Sequence, residues 1–192
     1  MIDIVIACLK EPERVQRLGT LIKMITEHTK LDYNIIILIN KESSACNKNK
    51  GLKLSGGSHI CFLDDDIIIK QDGWLGLMIE TLQKYPEAGA IVPRLTYPDG
   101  KWQNLTSDVS DIREVKGSSC SACLLCRKGI AQFDEQFKGA WAEDEDFFMQ
   151  LEAKGYKVLC DGRVNIHHLA QHNKPIKENE EYLVKKWGRR RS

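Results

Sequence analysis

Short runs of consecutive apolar residues alternate in this chain with longer stretches where apolar residues return every three or four positions. The first kind reads as buried strand and the second as amphipathic helix. Ile2 to Cys8 is a run of the first kind, apolar enough for the centre of a sheet. Pro12 suits the first turn of a helix, and Val15, Leu18, Leu21, Ile22 and Ile25 carry its stripe to about Thr29. Asn34 to Ile39 is a second buried strand. A polar loop from Asn40 to Asn47 leads to a short helix, Lys48 to Leu54, which Gly56 and Gly57 end. The apolar run that opens at His59 is a third strand, and it stops at Asp64, Asp65 and Asp66. Strand, helix, strand, helix, strand in series implies a parallel sheet with helices on its faces.

The second half is less regular. Trp74, Leu75, Met78, Ile79 and Leu82 mark a helix that starts near Asp72-Gly73 and stops at Tyr85-Pro86. Ala88 to Pro93 is another strand, and Tyr97-Pro98-Asp99-Gly100-Lys101-Trp102 is a turn joining a hairpin. Gln103 to Lys116 is polar and lacks a pattern; Ser118 to Cys126 reads as a strand. Glu143-Asp144-Glu145-Asp146 opens a helix carrying Phe147, Phe148 and Leu151, with Gly155 as its C-terminal cap. Tyr156 to Cys160 and Val164 to His167 are two short extended pieces. The expected organisation is one α/β domain over residues 1–170 and a charged tail over 171–192.

Composition narrows the partners. The chain has 192 residues and a formal net charge of +1, so no whole-molecule charge points to nucleic acid or membrane. No apolar run approaches the ~20 residues needed to span a bilayer. The N-terminus reads as a strand and lacks the basic region of a signal peptide, which makes the cytoplasm the expected location. Cys120, Cys123 and Cys126 have the spacing of a metal knuckle, but on a strand alternate residues face opposite ways, so packing thiols are expected. The tail combines Glu178, Glu180 and Glu181 with Lys185, Lys186, Arg189, Arg190 and Arg191. It reads as a solvated, partly disordered C-terminus. A helix resting on an anionic membrane and a contact to nucleic-acid phosphates are the alternatives.

The candidate chemistry begins where the third strand ends. Open α/β sheets bind ligands at the carboxyl ends of their strands. If the extended geometry continues, Asp64 and Asp66 point to one side and Asp65 to the other. Carboxylates held together while ionised want a cation, and hard divalent ions share their positions between carboxylates, phosphate and water. A metal–diphosphate site is the expectation. Glu143-Asp144-Glu145-Asp146 and His167-His168 are two further features that suit one site, although far apart in sequence. An imidazole among carboxylates moves preference from Mg²⁺ toward Mn²⁺.

These residues resemble the GT-A glycosyltransferases, and within them family two. Lys48-Asn49-Lys50-Gly51 stands where that family has Arg-Asn-x-Gly, and Phe62-Leu63-Asp64-Asp65-Asp66 looks like its D-x-D motif. Tyr97-Pro98-Asp99-Gly100, then Phe133-Asp134-Glu135 with Glu143-Asp144-Glu145-Asp146-Phe147, then Gly155-Tyr156-Lys157-Val158 and a late histidine, follow in the family's order. The resemblance runs from residue 2 to about 170. It implies a GT-A, Rossmann-like domain: a mostly parallel central sheet flanked by helices, with a small hairpin on the acceptor side. Residues 1–85 would be its nucleotide-binding half and 86–170 its acceptor and catalytic half.

The resemblance further implies a nucleotide-diphosphate-sugar donor, Mn²⁺ or Mg²⁺, and inversion at the anomeric carbon. Asp64, Asp66 and His167 match the metal ligands, with His168 as the alternative imidazole; Asp64 or Asp65 would also lie near the ribose. Asp144 matches the catalytic base, with Glu143 or Asp146 as alternatives. Asn40 stands where the family has an aspartate against the base, and Asn49 belongs to the nucleotide-sugar side. Ala7-Cys8-Leu9-Lys10 departs from the usual Pro-Thr-x-Asn. The acceptor would be a glycan, a lipid-linked sugar, a protein or a nucleic acid. A non-catalytic sugar- or nucleotide-binding module of the same fold, and a nucleotidyltransferase, are the competing readings.

Overall fold

A computed structural model describes residues 1–101, 103, 110–116, 120–169 and 175–190. Trp102, residues 104–109 of the 103–116 loop, Ser118 and Arg191 lie outside the described residues. The elements are β1 (Ile2–Leu9), α1 (Pro12–His28), β2 (Tyr33–Asn40), α2 (Ser44–Leu54), β3 (His59–Asp64), β4 (Ile67–Ile68), α3 (Trp74–Lys84), β5 (Ala88–Thr96), β6 (Ile112–Glu114), β7 (Cys123–Arg127), α4 (Glu143–Ala153), β8 (Lys157–His168) and α5 (Lys177–Trp187). One sheet runs in the order β2-β1-β3-β7-β5-β8-β4, with β6 pairing β8.

The expected parallel series is present: β1 pairs β2 and β3 in parallel, and β5 pairs β8 in parallel. Antiparallel β7 joins the two halves between β3 and β5. The two extended pieces expected at 156–167 are a single strand. It bulges where Pro93 pairs Asp161 but the next residue, Arg94, pairs Asn165. The chain also turns back sharply after β5, where Gly100 N donates to Tyr97 O at 2.9 Å and Tyr97 N to Lys101 O at 2.8 Å.

Each face of the sheet has its own core. Ile2, Ile4 and Ile6 meet Leu18, Leu21 and Ile25 of α1 and Trp74 of α3 on one side. Val5 and Phe62 meet Phe133, Phe147 and Phe148 on the other. Trp74 is a core residue, fully buried, its Nε1 donating to Thr29 Oγ1 at 3.0 Å. Gly51 sets how deep α2 lies: a Cβ there would stand 2.2 Å from Val5 Cγ1. Only glycine lets α2 sit this close to β1, and Lys48 and Asn49, one turn earlier, are carried into the interior with it.

Over residues 175–190 the expected solvated tail is replaced by a packed helix. Leu183 of α5 is fully buried against Phe137, Ala142 and Met149. Asn179 fastens the preceding loop, donating to Lys138 O at 2.8 Å and Trp141 O at 2.7 Å and accepting from Lys138 N at 3.0 Å. Leu183, with Tyr182 and Trp187 beside it, packs into the fold, while Val184 stays 43% exposed.

Candidate active site

A cleft of about 500 Å³ opens where β1, β3 and β8 end, walled by the N-terminal turns of α2 and α4. β3 stops at Asp64, and Asp65 and Asp66 form a turn before β4. The extended geometry does not continue through the triplet, and it is this turn that places Asp66 beside Asp64. Asp65 is buried and lines the cleft together with Arg14 of α1, whose Nη1 donates to its Oδ1 at 2.9 Å. Burial raises the Asp65 carboxyl above its usual range, against the pull of Cys8 and Arg14.

Asp64 and Asp66 share a cluster with an imidazole. Among the described residues, Asp64, Asp66 and His168 form the one group whose ligand atoms all lie within 4.8 Å of one another. The imidazole is His168 and not the expected His167, because the bulge in β8 fixes which of the two faces the cleft. His168 Nε2 lies 3.1 Å from Asp66 Oδ1, and its Nδ1 meets Gln103 Oε1 at 3.0 Å. His167 Nδ1 instead meets Thr96 Oγ1 on β5 at 2.8 Å. Adjacent ligands on an octahedral ion with bonds near 2.1 Å stand about 3 Å apart, so the Asp66–His168 spacing fits such an ion. Two carboxylates and one imidazole also suit Mn²⁺ or Mg²⁺ by donor type. Burial alone would lower the His168 pKa, but hydrogen bonds to Asp66 and Cys120 outweigh it and push it up to about 10.

Lys48 of α2 is the residue that the sequence pattern left without a role. It is 2% exposed. Its Nζ donates to Ser121 Oγ at 2.9 Å and lies 3.6 Å from Asp64 Oδ1, 3.9 Å from Glu143 Oε1 and 5.1 Å from the Phe133 ring centre. A buried ammonium must be paired, and here it balances acids from two distant parts of the chain.

The four acids opening α4 are sorted by their partners. Glu143 is buried beside Lys48, and burial pushes its carboxyl up to about 7. Glu145 is held by Arg190, whose Nε donates to Oε1 at 2.9 Å and to Oε2 at 3.1 Å, while Nη2 also donates to Oε2. Asp146 is fully buried and takes Trp187 Nε1 at 2.7 Å, Lys186 Nζ at 2.7 Å and Gln150 Nε2 at 2.8 Å. Asp144 is half-buried in the cleft wall and, among the described residues, has no cation within 4 Å. Its Oδ1 accepts from Glu145 N at 2.8 Å and its Oδ2 from Ser121 N at 3.3 Å, while burial raises its pKa. Ala142, just before the acids, takes the left-handed conformation at φ 69°. That costs an L-residue about 1–2 kcal/mol and is held by packing against Phe137, Met149 and Leu183.

Two expected donor-side residues lie outside the cleft lining. Asn49 is buried and braces α2 to the 133–135 segment: its Nδ2 donates to Phe133 O at 2.7 Å and Glu135 Oε1 at 2.9 Å, and its Oδ1 accepts from Phe133 N at 3.0 Å. Asn40 donates to Asn47 Oδ1 at 2.6 Å and accepts from Glu42 N at 2.8 Å. It steers Glu42 and Asn47, which do line the cleft. The cysteines are all free thiols. Cys123 and Cys126 pack on opposite faces of the sheet, while Cys120 precedes β7 and lines the cleft.

The sheet order and the cleft together define a GT-A domain, and solved structures agree. GalNAc-T7, crystallised with UDP, GalNAc and Mn²⁺, superposes with a TM-score of 0.73 at 10% identity, covering 98% of this chain and 49% of that one. Residues 1–349 of S. aureus TarS give 0.69 at 12% identity, covering 96% of this chain and 63% of that one. The TarS complex with UDP-GlcNAc gives 0.72 at 12%, covering 96% and 64%. The chain therefore spans about half to under two thirds of these proteins. No curated protein matches it. The sequence model for glycosyl transferase family 2 matches residues 19–128, more than half of the chain, and the chain belongs to that family. No helix among the described residues is long and apolar enough to cross a membrane.

Proposed function

We propose that this domain moves a sugar from a nucleotide-diphosphate-sugar to an acceptor hydroxyl, with inversion, and that Asp64, Asp66 and His168 hold the Mn²⁺ or Mg²⁺ it requires. One observation carries the reading: these three side chains and Asp144 line a single cleft, although they come from the ends of β3 and β8 and the start of α4. A divalent ion bound there would act as a Lewis acid, offsetting the charge that develops on the departing nucleotide diphosphate.

The remaining work falls to the chain's own groups. Asp144 is the base: its carboxylate is oriented by the Ser121 and Glu145 amides and takes the proton from the acceptor hydroxyl as that oxygen attacks the anomeric carbon. Burial makes it a stronger base than an exposed aspartate, while Lys48 limits the rise. Glu143, Glu145 and Asp146 are already paired with cations and serve to build the wall. Asp65, anchored by Arg14, fixes the turn from which Asp64 and Asp66 project. Asn40 acts on the nucleotide side through Glu42 and Asn47. Asn49 acts through the fold.

GalNAc-T7 was crystallised with UDP and TarS with UDP-GlcNAc, so UDP-GlcNAc and UDP-GalNAc with Mn²⁺ are the first donors to try. UDP release by the wild type is expected. Asp144→Asn should lose roughly 10²- to 10⁴-fold in turnover, the usual size of a general-base contribution, and should still bind UDP. Full turnover by Asp144→Asn would remove it from the mechanism.

A further inference from the structure

We propose that the C-terminal segment, α5 with Arg190, is part of the catalytic apparatus: it neutralises Glu145 and Asp146, so that Asp144 is the acid of the quartet left unpaired and held toward the cleft, with Arg190 as a positioning residue. The inference rests on the glycosyltransferase reading and adds to it a working part that lies beyond the residues matched to the family model, 19–128.

Four consecutive carboxylates in the first turn of one helix repel one another, and Glu143, Glu145 and Asp146 are 5%, 2% and 0% exposed. A helix N-terminus offsets only part of one such charge. The fold supplies Lys48 for Glu143 from α2. The other two countercharges come from the far end of the chain, Lys186 for Asp146 and Arg190 for Glu145. Arg190 is itself oriented by Glu180, 3.4 Å from its Nη1, and it stands at the mouth of the cleft beside Glu145. Lys186 also reaches Asp134 Oδ2 at 2.7 Å, where Tyr182 donates at 2.8 Å, tying the 133–141 segment to the same helix. Leu183 closes the packing under Ala142, whose left-handed turn starts α4. Glu145 carries both ends of the coupling. Its side chain is gripped by Arg190 and its backbone N–H holds Asp144 Oδ1.

The test compares the whole chain with Arg190→Ala, Arg190→Lys, Glu145→Gln, the Arg190→Ala/Glu145→Gln double variant and Arg189→Ala. The Arg189 side chain reaches Glu152 at 3.9 Å and the Arg190 carbonyl at 3.3 Å but none of the four acids opening α4, and its variant should match the wild type. Hydrogen exchange needs no substrate. Arg190→Ala should speed exchange across residues 142–147 and leave β1, β3 and β7 unchanged, whereas unchanged exchange over 142–147 would overturn the clamp. Steady-state kinetics with UDP-GlcNAc or UDP-GalNAc and Mn²⁺ then reads the catalytic part. Arg190→Ala should lower kcat about 10- to 100-fold, the scale of a misplaced group, with donor KM within about 3-fold; Arg190→Lys should recover part of the loss. The double variant should be little worse than Arg190→Ala, since residues acting as one unit are non-additive. Wild-type kcat in Arg190→Ala, or losses that simply multiply in the double variant, would overturn the proposal. A wild type that turns over neither donor counts against the glycosyltransferase reading and with it the catalytic role, while the exchange result still decides the clamp.

Discussion

Replacing Lys48 with methionine removes one charge and almost no volume. The ammonium lies 3.6 Å from Asp64 Oδ1 and 3.9 Å from Glu143 Oε1. At an effective dielectric of about 20, each attraction is of order 4 kcal/mol. Burying the ammonium offsets part of this, but deleting it leaves acids that have already been desolvated without a countercharge. Breaking a buried pair in this way typically costs about 3–5 kcal/mol, which is the loss expected here. The pH dependence has a definite sign. Burial would lower the lysine's pKa, but Asp64, Glu143 and Asp144 outweigh it and raise it. The lysine thus stays charged in both states below pH 9, and the variation belongs to the acids. Glu143 has its pKa raised from 4.5 to about 7, so folding is favoured by its proton at low pH and loses that contribution as pH climbs from 4.5 through 7. Lys48 opposes this rise, so removing it widens the window upward. Urea unfolding followed by tryptophan fluorescence should place Lys48→Met nearest the wild type at pH 5 and furthest from it at pH 8. A loss under about 1 kcal/mol at pH 8, or a larger loss at pH 5 than at pH 8, would refute the reasoning.

Three other outcomes are expected. His168→Ala should weaken Mn²⁺ binding at least ~10-fold by titration calorimetry, while His167→Ala, which loses a contact to Thr96, should stay within about 3-fold. Asn49→Ala strands the buried Phe133 N–H and C=O and should cost about 2–3 kcal/mol of unfolding free energy without altering the Mn²⁺ affinity of the remaining folded protein. Arg14→Ala leaves buried Asp65 without its cation, and should destabilise the fold by about 2–4 kcal/mol at pH 8. Burial raises the Asp65 pKa, so protonation should return part of that stability at pH 5.

Much of this was legible in the chain. β1, β2 and β3 are continuous apolar runs, and Asp64 and Asp66 do share one cluster, although a turn and not continued strand brings them together. What stayed hidden depended on contacts between distant segments. The choice between His167 and His168 turns on the bulge at Pro93–Arg94, which shifts the register of β8 and is set by pairing, not composition. Lys48 reads as a surface lysine until Gly51 seats α2 against Val5. Asn49 carries a family motif, yet its hydrogen-bond capacity is spent on Phe133 and Glu135. The charged tail misleads most, because its Lys186 and Arg190 are countercharges for Asp146 and Glu145, some 40 residues earlier. Tyr182, Leu183, Val184 and Trp187 gave the apolar hint, and three of the four pack into the fold.

The cleft's assignment is tested most directly by titrating UDP into the protein by calorimetry, with Mn²⁺ and with EDTA, for the wild type, Asp66→Asn and His168→Ala. The account predicts binding by the wild type with Mn²⁺, at least ~10-fold weaker binding with EDTA, and a comparable loss in both variants. Equal UDP affinity with and without the ion, or variants that bind as tightly as the wild type, would contradict it.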